Sequence, residues 1–166
     1  MLEKKIKKLK MNSKGEIKII ETINSFQKAI QKRLEENLIQ IENLKDEKNL
    51  INNEDTINLN FPADVLFVLK NLQSINIKYP RSFCFYSVSN VKVIENHFLQ
   101  FALLNDTQRI CFDTSKINSA GEWDIINYEN KYLITMTMSS FLVNKVWAWL
   151  DRGRHIWEEE YFPRLA

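Results

Sequence analysis

One stretch of the chain, residues 98–149, restricts the possible folds more than any other. An alternating apolar run over 98–104 meets an Asn-Asp-Thr turn, and a second run follows over 109–113. After a polar loop, a third run opens at Trp123 and leads to an amphipathic helical pattern. Strand, turn, strand, loop, strand and helix in this order predict the α+β class, with a mainly antiparallel sheet and flanking helices.

Helical patterns also lie before this stretch. Residues 21–51 carry apolar side chains at steps of three or four, which predicts a long N-terminal helix with one buried face. That face consists of Ile23, Phe26, Ile30, Leu34, Leu38, Ile41 and Leu44. Pro62 marks the start of a second helix, since proline at the first helical position costs no hydrogen bond. Residues 56–60 are predicted as a short edge strand, and residues 82–88 as a strand.

Signals at the end of the chain define the last helix. Ser139 or Ser140 is expected to cap its start, and Gly153 is expected to end it. The predicted organisation is therefore a basic N-terminal arm over 1–14, a helical segment over 15–55 and an α+β domain over 56–166.

Composition excludes several classes of protein. Apolar residues make up 45% of the chain, which is enough for a core and argues against global disorder. The apolar runs are shorter than a membrane span requires, and no secretory signal is seen, so we expect a cytoplasmic protein without membrane contact. Net charge is +2, and the positive excess lies in residues 1–14 rather than on a folded face, so nucleic-acid binding is not expected. Cys84 and Cys111 are expected to be buried free thiols.

The chain lacks recognisable catalytic motifs. Its two histidines, His97 and His155, do not occur in a metal-binding spacing, and no glycine-rich phosphate loop or nucleophile motif is present. A serine, His97 and Asp113 could form a catalytic triad, but almost any chain of this size contains residues for such a combination. We therefore expect no catalytic residues, no metal and no cofactor.

Four residues at predicted strand ends are the candidates for binding a partner: Asp113, Glu122, Trp123 and Asp124. Loops on a rigid scaffold commonly carry binding residues. Aspartate beside a turn often bonds its own backbone, so the carboxylates are interpreted either as turn residues or as a protein-binding surface. For Trp123, two alternatives stay open: an apolar anchor for a partner, or a core residue.

The order of these elements resembles the SUKH superfamily, in particular its Smi/Knr-type domain. The resemblance covers residues 58–150. It lies in Phe61-Pro62 before an apolar helix, in the strands 83–88, 98–104, 109–114 and 123–128, and in Ser140-Phe141 at the closing helix.

The resemblance implies a bacterial immunity protein, which neutralises a cognate toxin by stoichiometric binding and needs no turnover. Nucleases are among the toxins that such proteins inhibit. Two alternatives remain: a general Smi/Knr-type interaction module, and an enzyme with a dispersed site. Either a monomer or a homodimer is compatible with the sequence.

Overall fold

The computed structural model describes residues 14–42, 60–72, 75–86 and 90–158. Within these ranges, eight antiparallel strands form one sheet with helices packed against it, so the α+β prediction is confirmed. Residues 1–13 of the predicted basic arm and residues 56–59 of the predicted edge strand lie outside the described residues.

The elements of secondary structure follow one another in a simple order. They are α1 (Lys14–Glu35), β1 (Gln40–Ile41), α2 (Ala63–Asn71), β2 (Ile75–Tyr79), β3 (Phe83–Phe85), β4 (Lys92–Ile94), β5 (Phe98–Leu104), β6 (Gln108–Asp113), β7 (Asp124–Asn127), β8 (Leu133–Thr135), α3 (Met138–Ser140), a π-helical segment (Phe141–Lys145) and α4 (Val146–Arg152). The strands lie in the order β1-β2-β3-β5-β6-β7-β8 across the sheet. Strand β4 pairs with the first half of β5, and β3 pairs with its second half.

The hairpin of β5 and β6 forms as its sequence predicts. Phe98 pairs with Asp113 at one end, and Leu104 pairs with Gln108 at the other. Asn105 and Asp106 in the turn have φ angles of 54° and 59°, in the left-handed region that Asn and Asp tolerate better than other side chains. The turn residues and the alternation of apolar residues therefore favour the same pairing, and together they fix the register of β5 and β6.

The two faces of the sheet have different surroundings. One face carries the main core, where the rings of Phe101 and Phe112 stack with centroids 4.1 Å apart against the helices. The other face carries a smaller buried cluster of Phe98, Cys111 and Ile126. Cys84 and Cys111 are buried and free, as predicted, and burial raises their pKa values to about 11 and about 12. Both thiols therefore stay protonated and unreactive at neutral pH.

Helix α1 is shorter than predicted. Ile23, Phe26 and Ile30 are buried in the main core, which confirms the apolar face. The helix nevertheless ends at Glu35, because Asn37 adopts a φ of 57° and reverses the chain. The amide of residue 38 donates to the carbonyl of residue 33 at 2.8 Å, and that of residue 37 to residue 34 at 3.1 Å, which is a Schellman motif. The predicted helix over 21–51 is thus wrong over residues 36–42, and its residues 43–51 lie outside the described residues.

A short strand takes the place of the next helical turns. Strand β1 pairs with β2 at one edge of the sheet, and Leu38 just before it is exposed. The sequence interpretation also missed β2 and β8, which are five and three residues long. Strands this short carry too few alternations to stand out, and neighbouring strands stabilise them instead.

The C-terminal helix is capped by a residue that the sequence interpretation did not choose. The hydroxyl of Thr137 accepts the backbone N–H of Ser140 at 3.1 Å, so Thr137 is the N-cap in place of Ser139 or Ser140. The helix continues through the π-helical segment into α4. Gly153 ends it with a φ of 65°, as predicted.

Gly153 is expected to resist substitution more strongly than Gly121. A Cβ atom at position 153 would lie 2.7 Å from Nη2 of Arg81, whose Nη1 is held by the carbonyl of Leu150 at 2.5 Å. Gly121 also has a positive φ, of 80°, but open space surrounds it. Gly153→Ala should lower the free energy of unfolding by about 2 kcal/mol, and Gly121→Ala by about 1 kcal/mol. Equal losses in urea denaturation would show that Arg81 does not restrict position 153.

Candidate functional site in the loop between β6 and β7

The loop that joins β6 to β7 contains or adjoins all four predicted contact residues. Asp113 ends β6 and Asp124 begins β7, and the two residues are direct cross-strand partners. The two strands therefore close the base of the loop with a pair of like charges. Such a pair is unfavourable between strands unless other groups compensate the charges.

Asn118 holds the loop in one shape. Its Oδ1 accepts the backbone N–H groups of Ala120 at 2.9 Å and Glu122 at 3.1 Å. Its Nδ2 donates to Oδ1 of Asp124 at 3.0 Å and to the carbonyl of Met136 at 2.8 Å. One side chain thus ties the loop to β7 and to the residue after β8. Sequence reasoning did not single out Asn118, although asparagine commonly bonds nearby backbone groups in loops.

Asp113 anchors the other end of the loop. Its Oδ1 accepts the backbone N–H of Ser115 at 3.0 Å and the Ser115 hydroxyl at 2.6 Å. Nε2 of His97 lies 3.9 Å from the same oxygen, and the His97 ring packs on Phe98 with centroids 4.1 Å apart. The carboxylate therefore lies between the serine and the histidine. In a nucleophilic triad the histidine must accept the serine proton, so this arrangement is not a triad.

Glu122 is a structural residue and not an exposed contact. It is 6% exposed, and its Oε1 accepts the backbone N–H of Met138 at the start of the C-terminal helix, at 3.0 Å. Desolvation raises the pKa of its carboxyl, the bond from Met138 opposes this shift, and the negative charge of Asp64 adds to it. The prediction that Glu122 contacts a partner is therefore corrected, because its carboxyl is enclosed by the fold.

The raised pKa of Glu122 predicts a specific dependence of stability on pH. The folded state binds a proton at Glu122 more readily than the unfolded state, so the stabilisation is fully present below the usual pKa of 4.5. It is lost as pH rises through the raised pKa. Glu122→Gln cannot ionise but keeps an oxygen for Met138. The stability of this variant relative to the wild type should therefore increase with pH and then level off.

Urea titrations at a series of pH values would measure this difference. Glu21→Gln makes the same change at an exposed carboxyl on α1 and is the matched control. A pH-independent difference for Glu122→Gln would contradict the assigned pKa shift.

Trp123 belongs to the core, which decides between the two alternatives that its sequence position left open. The side chain is only 3% exposed. Its ring centroid lies 5.3 Å from that of Phe61 and 5.9 Å from that of Phe112. The prediction that Trp123 is an exposed anchor is therefore corrected, because its indole fills the space between the sheet and the segment before α2.

An exposed isoleucine occupies the middle of the loop instead. Ile117 is 54% exposed, the largest value among the large apolar side chains in the described ranges. It precedes Asn118, which bonds Asp124. The sequence signal was a lone isoleucine between Lys116 and Asn118 in an otherwise polar loop. We define the loop surface as Asp113, Ile117 and Asp124.

The two aspartates of the loop surface keep acceptor capacity. In the part of the chain that the structure describes, each uses Oδ1 for its hydrogen bonds, and Oδ2 accepts none. Both side chains are half-buried. The loop thus carries two carboxylate oxygens at its ends and one exposed apolar side chain between them in sequence, a combination suited to a cationic and apolar ligand surface.

Other site types find less support among the described residues. No group of three or more His, Cys, Asp or Glu side chains within them is arranged to hold a metal ion. No helix within the same ranges combines the length and the apolar character needed to cross a bilayer. Comparisons with protein-family models, curated proteins and solved structures give no match for this chain.

Proposed function

We propose that this protein acts by binding another protein without catalysis, and that its partner is a bacterial toxin which it neutralises as an immunity protein. The loop surface is the observation that carries this proposal. It comprises one exposed apolar side chain, Ile117, in the loop and the half-buried carboxylates of Asp113 and Asp124 at the two ends of the loop. An apolar centre with charged groups around it is the usual composition of a specific protein contact.

The rigidity of the loop supports a binding role. Asn118 bonds both flanks of the loop, and Ser115 fixes the carboxylate of Asp113. A partner would therefore meet a surface that is already ordered, and association would lose little conformational entropy in this segment. The same bonds hold the carboxylates in place to select a basic patch on the partner.

The resemblance to Smi/Knr-type domains supports a toxin as the partner. Residues 61–150 contain the opening helix, the antiparallel strands and the closing helix that the resemblance implies. In the proposed mechanism, the protein binds the toxin in the cytoplasm with one-to-one stoichiometry and covers its active site. A nuclease fits this account, since a surface that binds nucleic acid is basic and would complement Asp113 and Asp124.

Growth protection tests this function directly. The protein is co-expressed with the toxin encoded by the neighbouring gene, and growth is compared with that of cells expressing the toxin alone. We expect the wild type to restore growth. Ile117→Asp should abolish protection because it places a charge in the apolar centre of the contact. Asp113→Lys should also abolish protection, whereas Asp113→Asn keeps an oxygen for Ser115 and should give partial protection.

Two control variants separate binding from folding. Val143→Asp introduces the same change at an apolar residue that is 49% exposed on the C-terminal helix, and Glu21→Lys reverses a charge on α1. Both should protect as well as the wild type. Absence of a toxin gene beside this gene would argue against the immunity function. Full protection by Ile117→Asp would reject the loop surface.

A further inference from the structure

His97 lies beside one of the two carboxylates of the loop surface. It is the last residue of the turn between β4 and β5, and its Nε2 lies 3.9 Å from Oδ1 of Asp113 at the end of β6. The side chain of His97 is 42% exposed and that of Asp113 is 25% exposed. Protons from the solvent therefore reach the imidazole, and a charge on it acts directly on the Asp113 carboxylate.

Hydrogen bonds fix the position of His97 relative to Asp113. The carbonyl of His97 accepts the backbone N–H and the hydroxyl of Thr114, both at 2.8 Å. Phe98, the next residue, is the cross-strand partner of Asp113, and the His97 ring packs on its ring with centroids 4.1 Å apart. The turn before β5 and the end of β6 are therefore held together by the backbone, which keeps the imidazole next to the carboxylate.

Two other charged groups lie in the surroundings of the imidazole, and both make contacts of their own. Glu95, in the same turn, accepts a hydrogen bond from the hydroxyl of Tyr128. Lys131 lies over the ring on which the imidazole packs, 4.6 Å from its centroid. In the ranges that the structure describes, Asp113 is the carboxylate that pairs with His97. A positive charge on His97 therefore acts mainly on Asp113.

We propose that protonation of His97 switches the charge that the loop surface presents to its partner. With a neutral imidazole, the negative charge of Asp113 is available to a basic partner surface. With a protonated imidazole, the ion pair compensates this charge, and the added positive charge repels the same partner. Binding of a basic partner therefore releases the His97 proton to the solvent, and by linkage the affinity falls as pH decreases. The identity of the partner rests on the proposed function.

Calorimetric titration with the toxin encoded by the neighbouring gene, at about pH 7.5 and about pH 5.5, tests the effect on binding. The dissociation constant should rise at the lower pH, and this rise should be about tenfold larger for the wild type than for His97→Gln, whose side chain stays neutral. His155→Gln is the matched control, since it removes the other histidine of the chain and should behave as the wild type. Groups that titrate on the toxin contribute equally to all three proteins.

A measurement on the free protein tests the switch without a toxin. The backbone N–H of Ser115 donates to the same Asp113 oxygen that faces His97. Its amide resonance in two-dimensional NMR should therefore shift between the two pH values in the wild type and in His155→Gln, and much less in His97→Gln.

An equal pH response of the Ser115 amide in the wild type and in His97→Gln overturns the proposal. An equal rise of the dissociation constant in these two proteins also overturns it. If no form of the protein binds the toxin but the Ser115 shift depends on His97, the proposed function is rejected and the coupling of His97 to Asp113 is confirmed.

Discussion

Trp123→Ala is expected to lower the free energy of unfolding by about 3–5 kcal/mol. The indole is almost fully buried and contacts Phe61, before α2, and Phe112 in the centre of the sheet. Its removal deletes a large apolar contact and leaves a cavity that the surrounding strands cannot close. Urea denaturation followed by circular dichroism measures the loss.

Ile117→Ala is the matched control for this experiment. Ile117 lies in the same loop but is mostly exposed, so its truncation should change stability by less than about 0.5 kcal/mol. Similar effects of the two substitutions would contradict the assignment of Trp123 to the core and Ile117 to the surface.

Asn127→Ala is expected to cost about 3 kcal/mol, because it removes three hydrogen bonds made by one fully buried side chain. The side chain of Asn127 is fully buried at the end of β7. Its Nδ2 donates to Oε1 of Gln108 at 2.9 Å and to the carbonyl of Trp157 at 3.0 Å, and its Oδ1 accepts the backbone N–H of Glu129 at 3.1 Å. One residue thus joins the sheet to the C-terminal segment.

Asn130→Ala is the control that distinguishes the effect of burial from the effect of losing hydrogen bonds. Asn130 is exposed, yet its Nδ2 donates to the same carbonyl of Trp157 at 3.0 Å and its Oδ1 accepts the N–H of Tyr132 at 2.9 Å. Water can replace these bonds, so its loss should cost about 1 kcal/mol. If Asn127→Ala proves no more destabilising than Asn130→Ala, the buried network does not hold the C-terminal segment.

The central hairpin was predictable because several local signals agree. Strands β5 and β6 combine apolar alternation with a turn whose Asn105 and Asp106 tolerate positive φ angles. The end of α4 was equally clear, since Gly153 is the residue type favoured at a left-handed cap. Propensity, pattern and turn chemistry point to one structure in these segments.

The end of α1 was not predictable from periodicity. Leu38 and Ile41 continue the helical spacing, yet both are exposed, and β1 pairs with β2 instead. The decisive element is Asn37, whose left-handed conformation ends the helix. Asparagine also occurs within helices, so its identity alone does not mark the end. Pairing with a distant strand decides the outcome, and that information is not local.

The candidate site was only partly predictable, because burial in a loop depends on contacts between residues that are distant in sequence. Asp113 and Asp124 lie at strand ends, which the alternating pattern locates. Glu122 and Trp123 are their neighbours in sequence but lie inside the fold, because Met138 and Phe61 come close only in the tertiary structure. A loop has no periodic pattern of apolar residues, so its sequence does not indicate which side chains are buried. The exposed Ile117 was therefore missed.

Isothermal titration calorimetry with the purified toxin encoded by the neighbouring gene tests the central claim most directly. The proposed function predicts one-to-one binding, at least about 100-fold weaker for Ile117→Asp and unchanged for Val143→Asp. Failure of the wild-type protein to bind that toxin would contradict the immunity function. Equal affinity of the wild type and Ile117→Asp would contradict the loop surface as the place where the toxin binds.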